Sequence, residues 1–389
     1  MKRLSLFVFL AAVWRLAVLS AADLTFSFNQ HATGNVFQTR DKISDHISTL
    51  SLSLTKDFSG LSLFSEAGYS HFAGNPGLSF GGATAGLDYL RPMGEKSALY
   101  FSGTADAVLF SSDFRDFDHA VLSFLGAFKS YLGPNSILKA GAALEYRNYR
   151  DSLFDFISQT FSISLDRFFK TKTTAKAGLN WGYKYFLHPF LAPAPESPAD
   201  GSSQGGNGKG RHHGGTGYGL PSRSDSQGAG IQTLSLSALA AQGIGTRLGL
   251  SLSAVRQWNL SGGNPFQSVE EFYLAENPTY DDFSWAGWGL TGLVTLRIPW
   301  EIDLKMGYTV SDKTFPGIES LTLDGIPTGV IRHDRRNQIE TRLEKAFSKF
   351  SVFLSYSFID NRSNDPYFDW RSGFLTGGIE WRLPFGKSE

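Results

Sequence analysis

Charged residues recur at alternate positions in this chain, and that spacing is the first clue to what it could do. Glu301, Asp303 and Lys305 form one such set, and Gln338, Glu340, Arg342 and Glu344 another. Side chains two apart on an extended strand share a face, so each set belongs to one side of a sheet. Glu380 and Arg382 continue the pattern near the end of the chain, and Glu66, Asp88, Asp106, Lys139, Glu145, Arg147, Lys176 and Lys184 extend it through the first half. Around a water-filled space, such a wall would set ion selectivity and orient polar solutes. Its interspersed signs predict weak ion preference. In a packed or narrow interior the same groups would only neutralise one another.

Other reactive residue types carry less. Asp45-His46 and Asp118-His119 could in principle supply a histidine oriented by a carboxylate to activate water. Sequence neighbours on a strand point to opposite faces, so neither pair is a ready dyad. No catalytic residues and no cofactor are therefore expected. A rim-active hydrolase is the least favoured function. Arg211-His212-His213, flanked by glycines, is a weak metal signal read as a solvated tip, so no metal is expected either. Arg332, Arg335 and Arg336 form a basic cluster, read as an external rim able to attract phosphate-bearing surface lipid or anionic solutes.

The elements that must position these residues are strands. Leu50, Leu52 and Leu54 alternate with serines; Ala175, Ala177, Leu179, Trp181, Tyr183 and Tyr185 alternate with Lys176, Gly178, Asn180 and Lys184. Runs at 24–30, 99–109, 138–147, 301–310 and 350–358 repeat the pattern. Many such runs of roughly 10 residues fit strands that face lipid on one side and water on the other. Short turns at 57–60, 92–95, 133–136, 169–172, 242–245, 298–300 and 347–349 alternate with longer stretches near 31–45, 72–79, 111–117, 150–154, 187–229, 259–282, 313–334 and 361–369. The expectation is an all-β chain folded as one closed antiparallel transmembrane barrel of about 16 strands, with about 14 as the alternative. Trp258 and Trp370 are expected at one membrane interface, Trp300 and Trp381 at the other.

Composition agrees. Cysteine is absent, which excludes disulfides and thiolate metal sites. Asp+Glu and Lys+Arg balance at 36 each, giving no reason to propose nucleic acid. Residues 1–22 have the basic start, apolar run and small-residue end of a signal peptide, leaving 23–389 as the barrel. Within it, about 187–229 is rich in Pro, Gly and Ser and reads as one mobile external loop.

The last strand carries a resemblance. Thr376, Gly378, Trp381, Leu383 and Phe385 fill the slots of the C-terminal assembly signal of bacterial outer-membrane β-barrels, although the chain runs four residues further. In strand number, turn asymmetry, signal segment and closing strand it resembles general bacterial porins, in architecture and not in specific sequence. The resemblance implies an integral outer-membrane protein with both termini periplasmic, inserted by the barrel-assembly machinery. Its partners would be outer-membrane lipids, small polar solutes and its own copies in a homotrimer. It implies a passive-diffusion channel; the alternative is a structural, scaffolding or adhesive barrel without an open pore. General porins constrict the pore with a long third loop. The third loop here, 111–117, is short, so constriction is expected from 187–229, 259–282 or 313–334.

Overall fold

The computed structural model describes residues 23–150, 154–188, 230–264 and 282–384. Residues 1–22, where the signal peptide is expected, most of the 187–229 stretch with Arg211-His212-His213, and Phe385 lie outside the described residues.

Sixteen antiparallel strands close into one barrel. In chain order they are β1 (Asp23–Thr33), β2 (Asp45–Phe58), β3 (Leu61–Phe72), β4 (Phe80–Met93), β5 (Ser97–Phe110), β6 (His119–Gly133), β7 (Ser136–Tyr149) and β8 (Phe156–Phe168). The second half comprises β9 (Thr173–Phe186), β10 (Gly230–Ile244), β11 (Leu248–Ser261), β12 (Ala286–Ile298), β13 (Ile302–Leu321), β14 (Pro327–Ala346), β15 (Phe350–Ser363) and β16 (Trp370–Pro384). Each strand pairs with its sequence neighbours, and β1 closes the ring against β16 from Asp23↔Pro384 to Thr33↔Phe374. Closure leaves no unpaired strand edge, the condition for crossing lipid with strands. The count is 16.

Register fixes which face each side chain takes. Phe26 lies opposite Trp381 on one side and Leu52 on the other. The apolar set continues around the ring as an outward belt. Leu50, Leu252 and Ile339 are about half exposed (47, 53 and 51 %) because no protein covers them. Such a belt of exposed leucine, isoleucine and aromatic side chains is the exterior of a membrane protein. Glycines under neighbouring rings let the strands pack where a ring needs room: the Phe64 ring lies over Gly86, and that of Phe353 over Gly378.

Two expectations need correction. Residues 313–334 are not a long loop. They belong to the hairpin of β13 and β14, 20 residues each, which carries the sheet beyond the belt and turns only at Thr322–Ile326. Asp324-Gly325 supplies the turn, with Gly325 at φ +76°. Charged residues there masked the strand pattern because this part of the hairpin faces water on its outer side and loops on its inner side. Trp370 is not at the lipid interface either. It faces inward, 4 % exposed, in a cluster with Ile359 and Phe374.

Candidate functional site

The inward positions form the candidate site. Cross-strand pairs carry inward parity through Thr84↔Asp106, Asp106↔Val121, Val121↔Arg147 and Ser123↔Glu145. On the far side it runs Lys305↔Arg342, Gly307↔Glu340 and Asp303↔Glu344. The charged positions read from the sequence share this face: Glu66, Asp88, Asp106, Lys139, Glu145, Arg147, Lys176, Lys184, Asp303, Lys305, Glu340, Arg342, Glu344, Glu380 and Arg382 all fall on inward register positions. Glu301 does not. It sits in the turn before β13 at φ +58°, beside Trp300 at φ +64°.

Many of these groups are tied locally. Arg147 donates from Nε and Nη2 to Glu145 at 3.1 and 2.8 Å and covers the Phe156 ring. Lys139 Nζ reaches Asp166 at 2.6 Å. Asp106 accepts from the Thr84 hydroxyl at 2.6 Å, and Asp88 from the Tyr100 hydroxyl at 2.6 Å. Glu344 receives Arg342 at 3.1 Å and Lys305 at 3.8 Å. Near the terminal end, Arg297 meets Asp303 at 2.8 Å and Arg382 meets Glu380 at 2.9 Å. Lys184 is the most buried of them: 1 % exposed, its ammonium lies 3.9 Å from the centre of the Phe156 ring.

Two clefts in the wall differ in sign. One of about 700 Å³ is lined by Glu66, Asp106, Glu145, Arg147, His31 and His119 with serines and threonines. Another, of about 480 Å³, is lined by Lys176, Lys313 and Arg336 with Gln338, Ser253 and Thr309, and carries no carboxylate among its lining residues. The interspersed charge of the sequence is thus sorted in space. The cleft within β1–β7 is mainly acidic and that within β9–β14 basic, while Asp303, Glu340 and Glu344 keep both signs on the rest of the second half. Sequence reading missed Lys313 and His31, and weighed His119 only as half of a rim dyad; Lys313 lay in the stretch taken for a loop.

The loop-side mouth is apolar. Inward-facing strand ends Phe72, Phe80, Phe110, Phe156 and Phe186 meet loop residues Phe37, Phe114, Phe117 and Phe154. Phe114, in the short 3₁₀ segment Ser112–Phe117, packs against both clusters and stacks on Phe37 and Phe117 at ring-centre separations of 6.5 and 6.2 Å. The Phe283 ring joins the cluster of Phe117, Phe156 and Phe186 and lies against Gly182, where an added Cβ would come within 2.6 Å of it. The third loop therefore reaches inward despite its brevity. The signal was the surplus of phenylalanine, 33 residues, at strand ends.

The basic cluster divides. Arg332 faces inward, 4 % exposed, with its guanidinium 3.4 Å from the centre of the Phe368 ring and 4.4 Å from that of Phe315. It donates to Asp334 from Nη2 at 2.6 Å and Nε at 3.1 Å. Arg336 faces inward, donating to Asn361 at 3.2 Å, and Arg335 faces outward. Beyond the belt, burial would raise the Asp334 carboxyl, but Arg332 with hydrogen bonds from Ser363 and Asn361 holds it below its ordinary value. Neither Asp-His neighbour pair assembles a dyad: Asp45 accepts from the His46 and Gly74 amides, and Asp118 from the Phe110 amide while His119 Nδ1 meets the Phe117 carbonyl. At the closing strand Thr376 and Gly378 point inward, and Trp381 and Leu383 outward.

The fold and the lipid-facing belt define the class: this is an integral transmembrane β-barrel of the bacterial outer-membrane type. No protein-family model and no curated protein matches the chain. Among solved structures it is similar to Acinetobacter baumannii OccAB1 (8 % identity, 94 % of this chain and 97 % of that one, TM-score 0.48). It is also similar to Pseudomonas aeruginosa OccK5, or OpdH (11 %, 94 and 98 %, TM-score 0.45), and to a bacterial polysaccharide outer membrane secretin (10 %, 94 and 98 %, TM-score 0.47). The strand count and register above stand on the chain's own geometry.

Proposed function

We propose that the barrel is an outer-membrane channel for passive diffusion of small polar solutes, with both termini periplasmic and with weak ion selectivity. The observation that carries this reading is the inward wall: charged and hydroxyl side chains run along it from the terminal end to the apolar mouth. Solutes would exchange hydration for these groups. Near balance of sign gives little net preference, and the acidic and basic clefts favour solutes that carry both charges or a strong dipole. Insertion would proceed through the assembly machinery reading Thr376 to Leu383, and homotrimers are testable by cross-linking in outer-membrane lipid.

The test is conductance of the folded protein in a planar bilayer, with reversal potentials in a salt gradient. Steady channels with permeability ratios near unity support the reading. Silence in the wild type and in Phe114→Ala alike would sink it. The apolar mouth favours a second reading, a barrel closed at rest; its sign would be a silent wild type that conducts once Phe114 is removed.

A further inference from the structure

The two rims of the barrel differ in how their outward charges are arranged. At the turn end, Lys56, Arg91, Arg167 and Lys345 occupy outward register positions within the last few residues of β2, β4, β8 and β14. Three of them lie against an aromatic ring two residues on: Lys56 at 5.3 Å from the Phe58 ring centre, Arg167 at 6.0 Å from Phe169 and Lys345 at 5.0 Å from Phe347. Those rings are 50, 47 and 44 % exposed. Trp300, at the same end, is 78 % exposed. No outward strand position of this end, among the described residues, holds a carboxylate. At the loop end, by contrast, carboxylates stand among the outward arginines: Asp360 lies 3.5 Å from Arg362, and Asp312 lies 2.9 Å from the His333 ring.

Exposed rings seek the boundary between acyl chains and headgroups, and a cation held beside such a ring sits at the height of the headgroup phosphates. Charge complementarity then selects the occupant. We propose that the turn end binds the phosphates of anionic phospholipids, with Lys56, Arg91, Arg167 and Lys345 as the contacts. Each cation supplies a favourable term near an anionic surface, worth about fivefold in lipid preference. The inference rests on the barrel spanning a membrane and does not need an open pore.

The test compares folded barrels in vesicles of phosphatidylcholine alone and mixed equally with phosphatidylglycerol, reading the lipids that co-purify by mass spectrometry. Lys56, Arg91, Arg167 and Lys345 are changed together to Gln; Arg256, Arg335, Arg362 and Arg371 are changed to Gln as the loop-end control. Gel mobility before and after heating confirms that each barrel is folded. Expected are enrichment of phosphatidylglycerol on the wild type and the loop-end variant, its loss on the turn-end variant, and its loss on the wild type in 1 M salt, which screens exposed charge to about 3 Å. Equal enrichment on the turn-end variant, or none on the wild type, would overturn the proposal. Either result leaves the conductance test of the channel reading untouched.

Discussion

Replacing Asp334 by Asn tests how the β13–β14 hairpin is held above the membrane. The substitution keeps the side chain's size and removes its charge. Arg332 stays protonated in either background, so it would remain between Phe315 and Phe368 without the Asp334 charge. Both partners are 4 % exposed at the side chain, so screening by water is slight. Breaking one half of such a pair costs about 3–5 kcal/mol. The cost falls locally, because the hairpin can leave its neighbours while the barrel stays closed. Hydrogen exchange at Ile331 to Arg336 and proteolysis at the Asp324-Gly325 tip should therefore rise by two to three orders of magnitude, roughly what 3–4 kcal/mol yields. Exchange in the lipid-facing belt should not change. Removing both charges, with Arg332→Met beside Asp334→Leu, should recover part of the loss, since apolar groups replace a buried pair at little cost while Ser363 and Asn361 lose the carboxylate they donate to. The pH dependence has a definite sign. The folded carboxyl lies below its ordinary value, so its contribution is present above about pH 4 and disappears as pH falls through the folded value. An Asp334→Asn hairpin as protected as the wild type, or protection in the wild type that grows on acidification, would refute the account.

Three further outcomes are expected. Reversing Lys176 and Arg336 to Glu places carboxylates in the basic cleft, and the cation-to-anion permeability ratio should rise a few-fold in a salt-gradient measurement. Phe114→Ala removes the ring shared by the two mouth clusters, and single-channel conductance should increase with the barrel's heat-modified gel mobility unchanged. Gly378→Ala would drive a methyl into Asn29 and the Phe353 ring, costing about 1–3 kcal/mol and lowering folding yield into vesicles, whereas Gly377→Ala, 3.7 Å from Leu354, should be tolerated.

What was legible in the sequence is what depends on alternation. Leu50, Leu52 and Leu54 against serines, or Trp181, Tyr183 and Tyr185 against Lys184, fix a strand and its two faces, because the side-chain period of a strand is two whatever it pairs with. Repeated with short and long connections in turn, that local rule leads to a closed barrel and puts charges such as Glu340 and Arg342 on its inner face. It fails where a strand leaves lipid. In β13 and β14 beyond Val310 and Ile339 no apolar face is required, so 313–334 reads as loop although its backbone pairs through Glu319↔Ile331. Only the closed ring decided which charges meet. Lys176, Lys313 and Arg336 lie on three different strands, and their shared cleft follows from curvature and register that no single strand encodes. The division of Arg332 from Arg335 is the same lesson at one residue's scale: neighbours in a basic run became a buried ion-pair partner and an outward cation, because the strand turns successive side chains to opposite faces.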